Sequence, residues 1–159
     1  MAKYSINYSC GHSGQVQIYG PTKDRQGKAD WYAERLCPDC YKAEQDKARA
    51  IETKISADTN KSNGLPDLIG TPKQIAWAET IRTKILNEVR DFSGRMKTPE
   101  QIKNNPGITE EILKKVIKDG EVIRAWMEEI EAKTDSSWWI DHRGMYVMGE
   151  IRQLCQKIN

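Results

Sequence analysis

Apolar residues recur every three or four positions through most of the second half of the chain, which is the spacing of amphipathic helices. The clearest case begins at Thr71, which can cap a helix, followed by Pro72, which suits a first helical turn. We expect this helix to end near Ser93-Gly94. Its apolar stripe consists of Ile75, Ala78, Ile81, Ile85, Val89 and Phe92.

Four further helical segments follow the same rules. Thr98-Pro99-Glu100 predicts a short helix that Asn105-Pro106-Gly107 ends, and Thr109 opens a long one in which Gly120 marks a break or a close contact. Asp135 or Ser136 can cap a turn that carries two tryptophans. Packing these stripes together predicts a C-terminal helical bundle. The apolar positions of the last three segments are Ile112, Leu113, Val116, Ile117, Ile123, Trp126, Met127 and Ile130, then Trp138, Trp139 and Ile140, then Met145, Met148, Ile151, Leu154, Cys155 and Ile158.

The first part of the chain has a different pattern. Residues 16–19 alternate as a strand does until Gly20-Pro21 breaks them, residues 22–36 have helical character, and another helix runs on after Cys40. Residues 56–70, SADTNKSNGLPDLIG, have the composition of a linker. We therefore predict a head (1–55), a linker (56–70) and a helical domain (71–159). The fold class is mainly α, with a small α+β head.

Composition argues against several classes of function. The chain has 159 residues, of which 38% are hydrophobic and 30% charged, with a net charge of +2. A non-specific DNA binder usually has a stronger basic excess, since phosphate neutralisation supplies its affinity. No apolar run approaches the ~20 residues of a membrane span, and the first residues do not form a signal peptide. We expect a cytoplasmic protein, in which cysteines are more often metal ligands than disulfides.

Candidate metal ligands occur in two short groups in the head. Cys10-Gly11-His12 and Cys37-Pro38-Asp39-Cys40 are separated by 24 residues, and zinc prefers four such nitrogen or sulfur ligands. We predict one structural Zn²⁺ per chain, held by Cys10, His12, Cys37 and Cys40, in a head that resembles a zinc ribbon or treble clef. The fourth ligand has an alternative, since a water molecule or another residue can take the place of His12. Trp31, Tyr32 and Leu36 are expected to cover the site.

Catalytic alternatives fit the residues less well. A thioredoxin-type role for Cys37 and Cys40 needs a βαβ setting, which the pattern lacks. Nucleic-acid deaminases use His-x-Glu and Pro-Cys-x-x-Cys, whereas here Gly14 occupies the position of the glutamate and Pro38 lies inside the cysteine pair. His142 beside Asp141 has no accompanying nucleophile. We therefore expect a protein that is not an enzyme.

The other candidate residues have structural interpretations. Cys155 lies on an apolar stripe, and we interpret it as a buried thiol. The Trp138–Trp139 pair reads as core, with an exposed anchor for a partner as the alternative. On the helix that begins at Pro72, charges of both signs predict an ordinary solvated face. They are Lys73, Arg82, Lys84 and Arg90 with Glu79, Glu88 and Asp91.

Several phrases resemble a group of small proteins encoded by phages and mobile elements. The likeness covers most of the chain. It lies in Cys10-Gly11-His12-Ser13-Gly14, the 16–20 strand and Cys37-Pro38-Asp39-Cys40-Tyr41, and in the later phrases that begin at Thr71 and Trp138. This resemblance implies an inhibitor of a host defence enzyme, most specifically a metal-binding type II anti-CRISPR that contacts Cas9.

The alternative is a nucleic-acid-binding accessory or regulatory protein that reads through its zinc head. Residues 1–60 carry nine Lys/Arg and eight Asp/Glu, an excess of +1. Three thiolates and Zn²⁺ together add a charge of −1, which cancels that excess. Because a nucleic-acid-binding head is expected to be basic, this neutral charge favours the inhibitor hypothesis.

Overall fold

The computed structural model describes residues 2–157 and is mainly helical, with a small two-stranded sheet at the N-terminal end. The predicted fold class is thereby confirmed. The chain divides into two compact units, Met1–Ile51 and Glu52–Asn159, with the boundary inside the second helix. The elements are β1 (Ala2–Asn7), β2 (Ser13–Ile18), α1 (Thr22–Ala33), α2 (Pro38–Ser62), α3 (Pro72–Arg95), α4 (Pro99–Ile102), α5 (Glu110–Glu131), α6 (Ser136–Asp141) and α7 (Val147–Lys157).

A β-hairpin with α1 packed on it forms the first unit. The strands β1 and β2 are antiparallel, and Ala2 pairs with Ile18 while Asn7 pairs with Ser13. Of the α1 side chains, only Ala29 is buried. The core of this unit is therefore small, and it consists of Ile6, Tyr8, Ile18, Ala29 and Cys37.

The second unit has the larger core, built mainly by α3, α5, α6 and α7. Trp139 is fully buried within it and donates its indole N–H to the Lys133 carbonyl at 3.1 Å, while Trp138 is half-buried. The other buried apolar residues are Leu68, Ala78, Ile81, Ile85, Leu86, Val89, Ile123, Ile130, Val147 and Ile151. Most of the predicted apolar positions thus contribute to one core, but Ile112 and Ile117 of the predicted α5 stripe are exposed, and Ile158 lies outside the described residues.

Capping residues begin the helices of this unit where the sequence predicts. Thr71 and Thr98 each form a capping box, and Thr109 accepts the Ile112 amide. The helix α3 ends at Arg95, close to the predicted Ser93-Gly94. Gly120 does not break α5, which runs uninterrupted past it.

The predicted linker is largely ordered structure. The helix α2 continues to Ser62, so residues 56–62 are helical, and Leu68 lies in the core. Asn60 is buried, and its amide donates to the carbonyl and carboxylate oxygens of Glu79, which satisfies its hydrogen-bonding capacity away from water. The Asn60 side chain is thus a hydrogen-bonding partner of α3, and the composition typical of linkers misleads because it does not reveal such a partner.

The expected solvated face of α3 is wrong at Arg82 and Glu79, which are both buried. The Arg82 guanidinium donates to the Glu79 carboxylate at 3.0 Å and to the Pro66 carbonyl at 2.8 Å. Burying a charge is costly unless it is paired, and this ion pair meets that requirement. The pair also fastens the 63–70 segment to α3.

Within residues 2–157, no helix has both the length and the apolar character to cross a membrane.

Candidate metal centre

A tight turn between β1 and β2 carries the first two candidate ligands. The Gly11 amide donates to the Tyr8 carbonyl, and the Tyr8 amide donates to the His12 carbonyl, both at 2.9 Å. Gly11 has a φ of 81°, a left-handed conformation that glycine adopts without strain. The glycine between Cys10 and His12 therefore permits the turn that presents both side chains.

The start of α2 carries the other two. Cys37 immediately precedes the helix, and Pro38 is its first residue. The Cys40 amide donates to the Cys37 sulfur at 3.4 Å, and the Tyr41 amide donates to the Cys37 carbonyl at 2.9 Å. Cys37 thus occupies the capping position of α2, and Cys40 lies within the first helical turn.

Backbone hydrogen bonds hold the two turns together. The Cys37 amide donates to the Cys10 sulfur at 3.3 Å, and the Ser9 amide donates to the Arg35 carbonyl at 3.0 Å. The His12 Nδ1 atom lies 3.7 Å from the Cys37 sulfur and 3.3 Å from the Cys40 sulfur. One potential ligand atom from each of the four residues lies within 4.8 Å of all the others. The structure therefore brings the four predicted ligands together in one cluster.

Hydrogen bonding and charge shift the pKa values of Cys10 and Cys40 in opposite directions. Hydrogen bonds from the backbone, first that of Cys37 and then that of His12, lower the pKa of Cys10 to about 6. In contrast, the hydrogen bond with the Cys37 side chain, burial and the charge of Cys10 raise the pKa of Cys40 to about 11. A cation bound among the sulfurs would stabilise the thiolates against this repulsion, because metal coordination deprotonates thiols outright.

The four residues of the cluster differ in their exposure to solvent. Cys37 is buried, Cys10 and Cys40 are half-buried, and His12 is exposed. Gly14 passes against the Tyr8 ring, and a Cβ atom at position 14 would lie only 3.0 Å from it. The cluster is therefore backed by the core on its cysteine side and open to solvent at His12.

The three residues expected to cover the site behave differently from one another. Tyr32 is half-buried and packs against the core of the first unit, and Leu36 is also half-buried. Trp31 is 48% exposed, and the Arg35 guanidinium lies over its ring at 3.7 Å. Trp31 is therefore a surface residue, and its expected role as a cover is wrong.

The remaining candidates lie elsewhere in the fold. Cys155 is half-buried against the core of the second unit, and burial is the main cause of its raised pKa. His142 stacks on Trp138 with ring centroids 4.1 Å apart, and its Nδ1 lies 2.7 Å from the Trp138 carbonyl oxygen. These contacts give His142 a local role within its own helical turn.

Sequence reasoning missed the supports of the cluster. The strand β1 and the Ser9–Arg35 bond position the ligands, yet the prediction contained no first strand. The alternation of Tyr4, Ile6 and Tyr8 with polar residues is the signal that could have identified it.

Comparison with known proteins finds no relative of this chain. The chain matches no protein-family model, no curated protein and no solved structure.

Proposed function

We propose that this chain is a non-enzymatic protein that binds one structural Zn²⁺ ion and acts by contact with another protein. The observation that carries the proposal is the complete four-ligand set of Cys10, His12, Cys37 and Cys40. Structural zinc sites use four protein ligands, whereas catalytic sites keep one position for water or substrate. A set with no vacant position favours a structural metal.

The distances in the cluster support zinc as the metal. Tetrahedral zinc, with bonds of ~2.3 Å to sulfur and ~2.0 Å to nitrogen, places a sulfur and a nitrogen ligand ~3.5 Å apart. The distances from His12 Nδ1 to the Cys37 and Cys40 sulfurs are 3.7 and 3.3 Å. Thiolates with an imidazole also suit zinc better than the oxygen-seeking cations Mg²⁺ and Ca²⁺.

Exposed aromatic side chains support contact with a protein. Tyr19 and Trp31 are 60% and 48% exposed on the first unit, and Trp77 is 52% exposed on the second. The Arg143 guanidinium lies 5.8 Å from the Trp77 ring centroid. Trp, Tyr and Arg are the residue types that carry most binding energy at protein interfaces.

The resemblance to phage and mobile-element proteins supplies the target class. We take it to be a host defence enzyme in the bacterial cytoplasm, with Cas9 as the first candidate. Inhibition by contact needs a stable surface and no catalytic group. A metal-stiffened head together with a well-packed helical unit is consistent with this.

A capture experiment tests the proposal. The tagged zinc-loaded protein is incubated with bacterial lysate containing Cas9, with and without nuclease, and retained Cas9 is measured by mass spectrometry. We expect nuclease-resistant capture and inhibition of DNA cleavage by purified Cas9. Trp31→Ala and Trp77→Ala identify the unit in contact, and Ile112→Ala, at another exposed apolar position, is the control. Absence of both capture and inhibition would remove Cas9 as the target.

Nucleic-acid binding by the head is the second candidate, and one observation favours it. Trp31 and Tyr19 line a cleft of about 610 Å³ together with Lys28, and Arg35 lies over the Trp31 ring. Exposed aromatic rings beside cations are the usual platform for unpaired bases. Capture that disappears after nuclease treatment would support this candidate over the first.

A further inference from the structure

The second unit contains a cavity that the proposed function does not use. It has a volume of about 300 Å³ and lies where the end of α3 and the start of α4 meet α5. Its apolar lining consists of Met96, Pro99, Val116, Ile123 and Met127. Small-molecule sites in proteins are largely apolar and begin at about this size.

Gly120 contributes to this cavity from the middle of α5. Glycine inside a helix costs roughly 0.5–1 kcal/mol relative to alanine, so its presence needs a reason. No atom lies within 4 Å of a Cβ atom built at Gly120, so contacts within the chain do not require a glycine. An absent side chain does, however, leave room for a ligand beside the helix.

The charges around the cavity all have one sign. Lys97 and Arg124 line it. Met96, Lys97 and two neighbours are shared with an adjacent polar cleft of about 660 Å³, to which Arg95 also contributes. No carboxylate lines either space, although the chain has 23 acidic residues against 25 basic ones. Among residues 2–157, neither Lys97 nor Arg124 forms an ion pair.

We propose that this cavity binds a medium-chain monocarboxylate of the fatty-acid type. The hydrocarbon chain lies among Met96, Val116, Ile123 and Met127, and the carboxylate faces Lys97 and Arg124. The two methionines suit such a ligand because their flexible side chains adapt to irregular apolar shapes. An apolar interior beside unpaired cations complements a ligand that is apolar at one end and anionic at the other.

The test is a titration of the full zinc-loaded protein with decanoate below its micelle concentration. The methyl signals of Met96 and Met127 report on the cavity in NMR spectra, and Met148 on α7 is the internal reference. Decanol removes the charge of the probe, and decyltrimethylammonium reverses it. We expect saturable shifts at Met96 and Met127 with decanoate, and weaker binding of the other two probes.

Variants connect the binding to the cavity. Gly120→Leu should abolish saturable binding by filling the space, whereas Ala125→Leu, on an exposed position of the same helix, should not. Lys97→Gln and Arg124→Gln should each weaken decanoate binding about two- to five-fold, since exposed ion pairs are weak. Arg152→Gln, an exposed cation on α7, is the charge control.

Three results would overturn the proposal. The first is the absence of a saturable shift with decanoate. The second is equal binding of decanoate and decanol, since the cations would then have no role. The third is a response to phosphatidylglycerol vesicles without a response to free decanoate, which would identify a membrane surface as the source of the ligand.

Discussion

Replacement of Cys37 by serine is the sharpest test of the metal centre. The Cys37 sulfur lies 3.7 Å from His12 Nδ1, accepts the Cys40 amide at 3.4 Å and is the most buried of the four ligands. A serine hydroxyl is a harder and shorter ligand than a thiolate. Cys37→Ser therefore removes one ligand while changing no other side chain, and the core of the second unit is left unchanged.

The expected loss of stability in the first unit follows from the coupling of metal binding to folding. Changes to residues that only support ligands reduce metal affinity ~10–100-fold, and loss of a ligand should exceed this. A 100-fold loss is about 2.7 kcal/mol, which is withdrawn from the stability of the first unit because an unfolded head offers no preformed site. The core of that unit, around Ile6 and Ile18, is too small to compensate.

Two measurements detect the effect of Cys37→Ser, one on metal content and one on the folding of the first unit. Native mass spectrometry gives the metal content, and the indole N–H signal of Trp31 reports on the first unit, since it is the only Trp among residues 1–51. We expect one zinc per wild-type chain. Cys37→Ser, or a strong chelator, should cause loss of zinc and collapse of the Trp31 signal. Cys155→Ser, the matched control, should retain both.

Equal effects of Cys37→Ser and Cys155→Ser would refute the placement of the site. An unchanged Trp31 signal and unchanged melting after complete removal of metal would refute its structural role. In that case the head would be stable on its own packing, and the four residues would have some other use.

Two predictions concern the second unit, and urea unfolding of the metal-loaded protein followed by circular dichroism measures both. Glu79→Gln leaves the Arg82 charge buried and unpaired and should cost about 3–5 kcal/mol, whereas Glu88→Gln on the exposed face should change stability by less than about 0.5 kcal/mol; similar values would show that the ion pair does not form. Trp139→Ala should cost about 3–5 kcal/mol, well above the exposed Trp77→Ala, and the reverse order would contradict the assigned core.

The parts of the structure that were predicted correctly are those set by local chemistry. Helix starts follow from capping threonines and prolines, which act within one turn. The ligand cluster follows from cysteine spacing, since a short turn fixes the distance between its own side chains. Within each helix start and each ligand pair the groups are close in sequence, so the pattern contains the local geometry. The two ligand pairs are 25–28 residues apart, and they were matched because zinc prefers four nitrogen or sulfur ligands.

The failures involve partners that are distant in sequence. Asn60 has the character of a linker residue until Glu79, 19 residues later, is seen to accept its amide. Arg82 has the character of a surface residue until the Pro66 carbonyl and the Glu79 carboxylate are found around it. Gly120 suggested a break, yet the helix continues. Residue type alone does not reveal which polar group will be buried with a partner.

The difference between the two units explains why the chain would require a metal in one of them only. The second unit buries a full tryptophan, Trp139, and a row of aliphatic residues, so hydrophobic burial can fold it. In α1 of the first unit, Ala29 is the only buried side chain, and alanine contributes little apolar area. Small domains with cores of this kind usually need a disulfide or a metal. A metal held by the four-ligand cluster would supply that stability where α2 meets the hairpin turn, which is also where hydrogen bonds join the two turns.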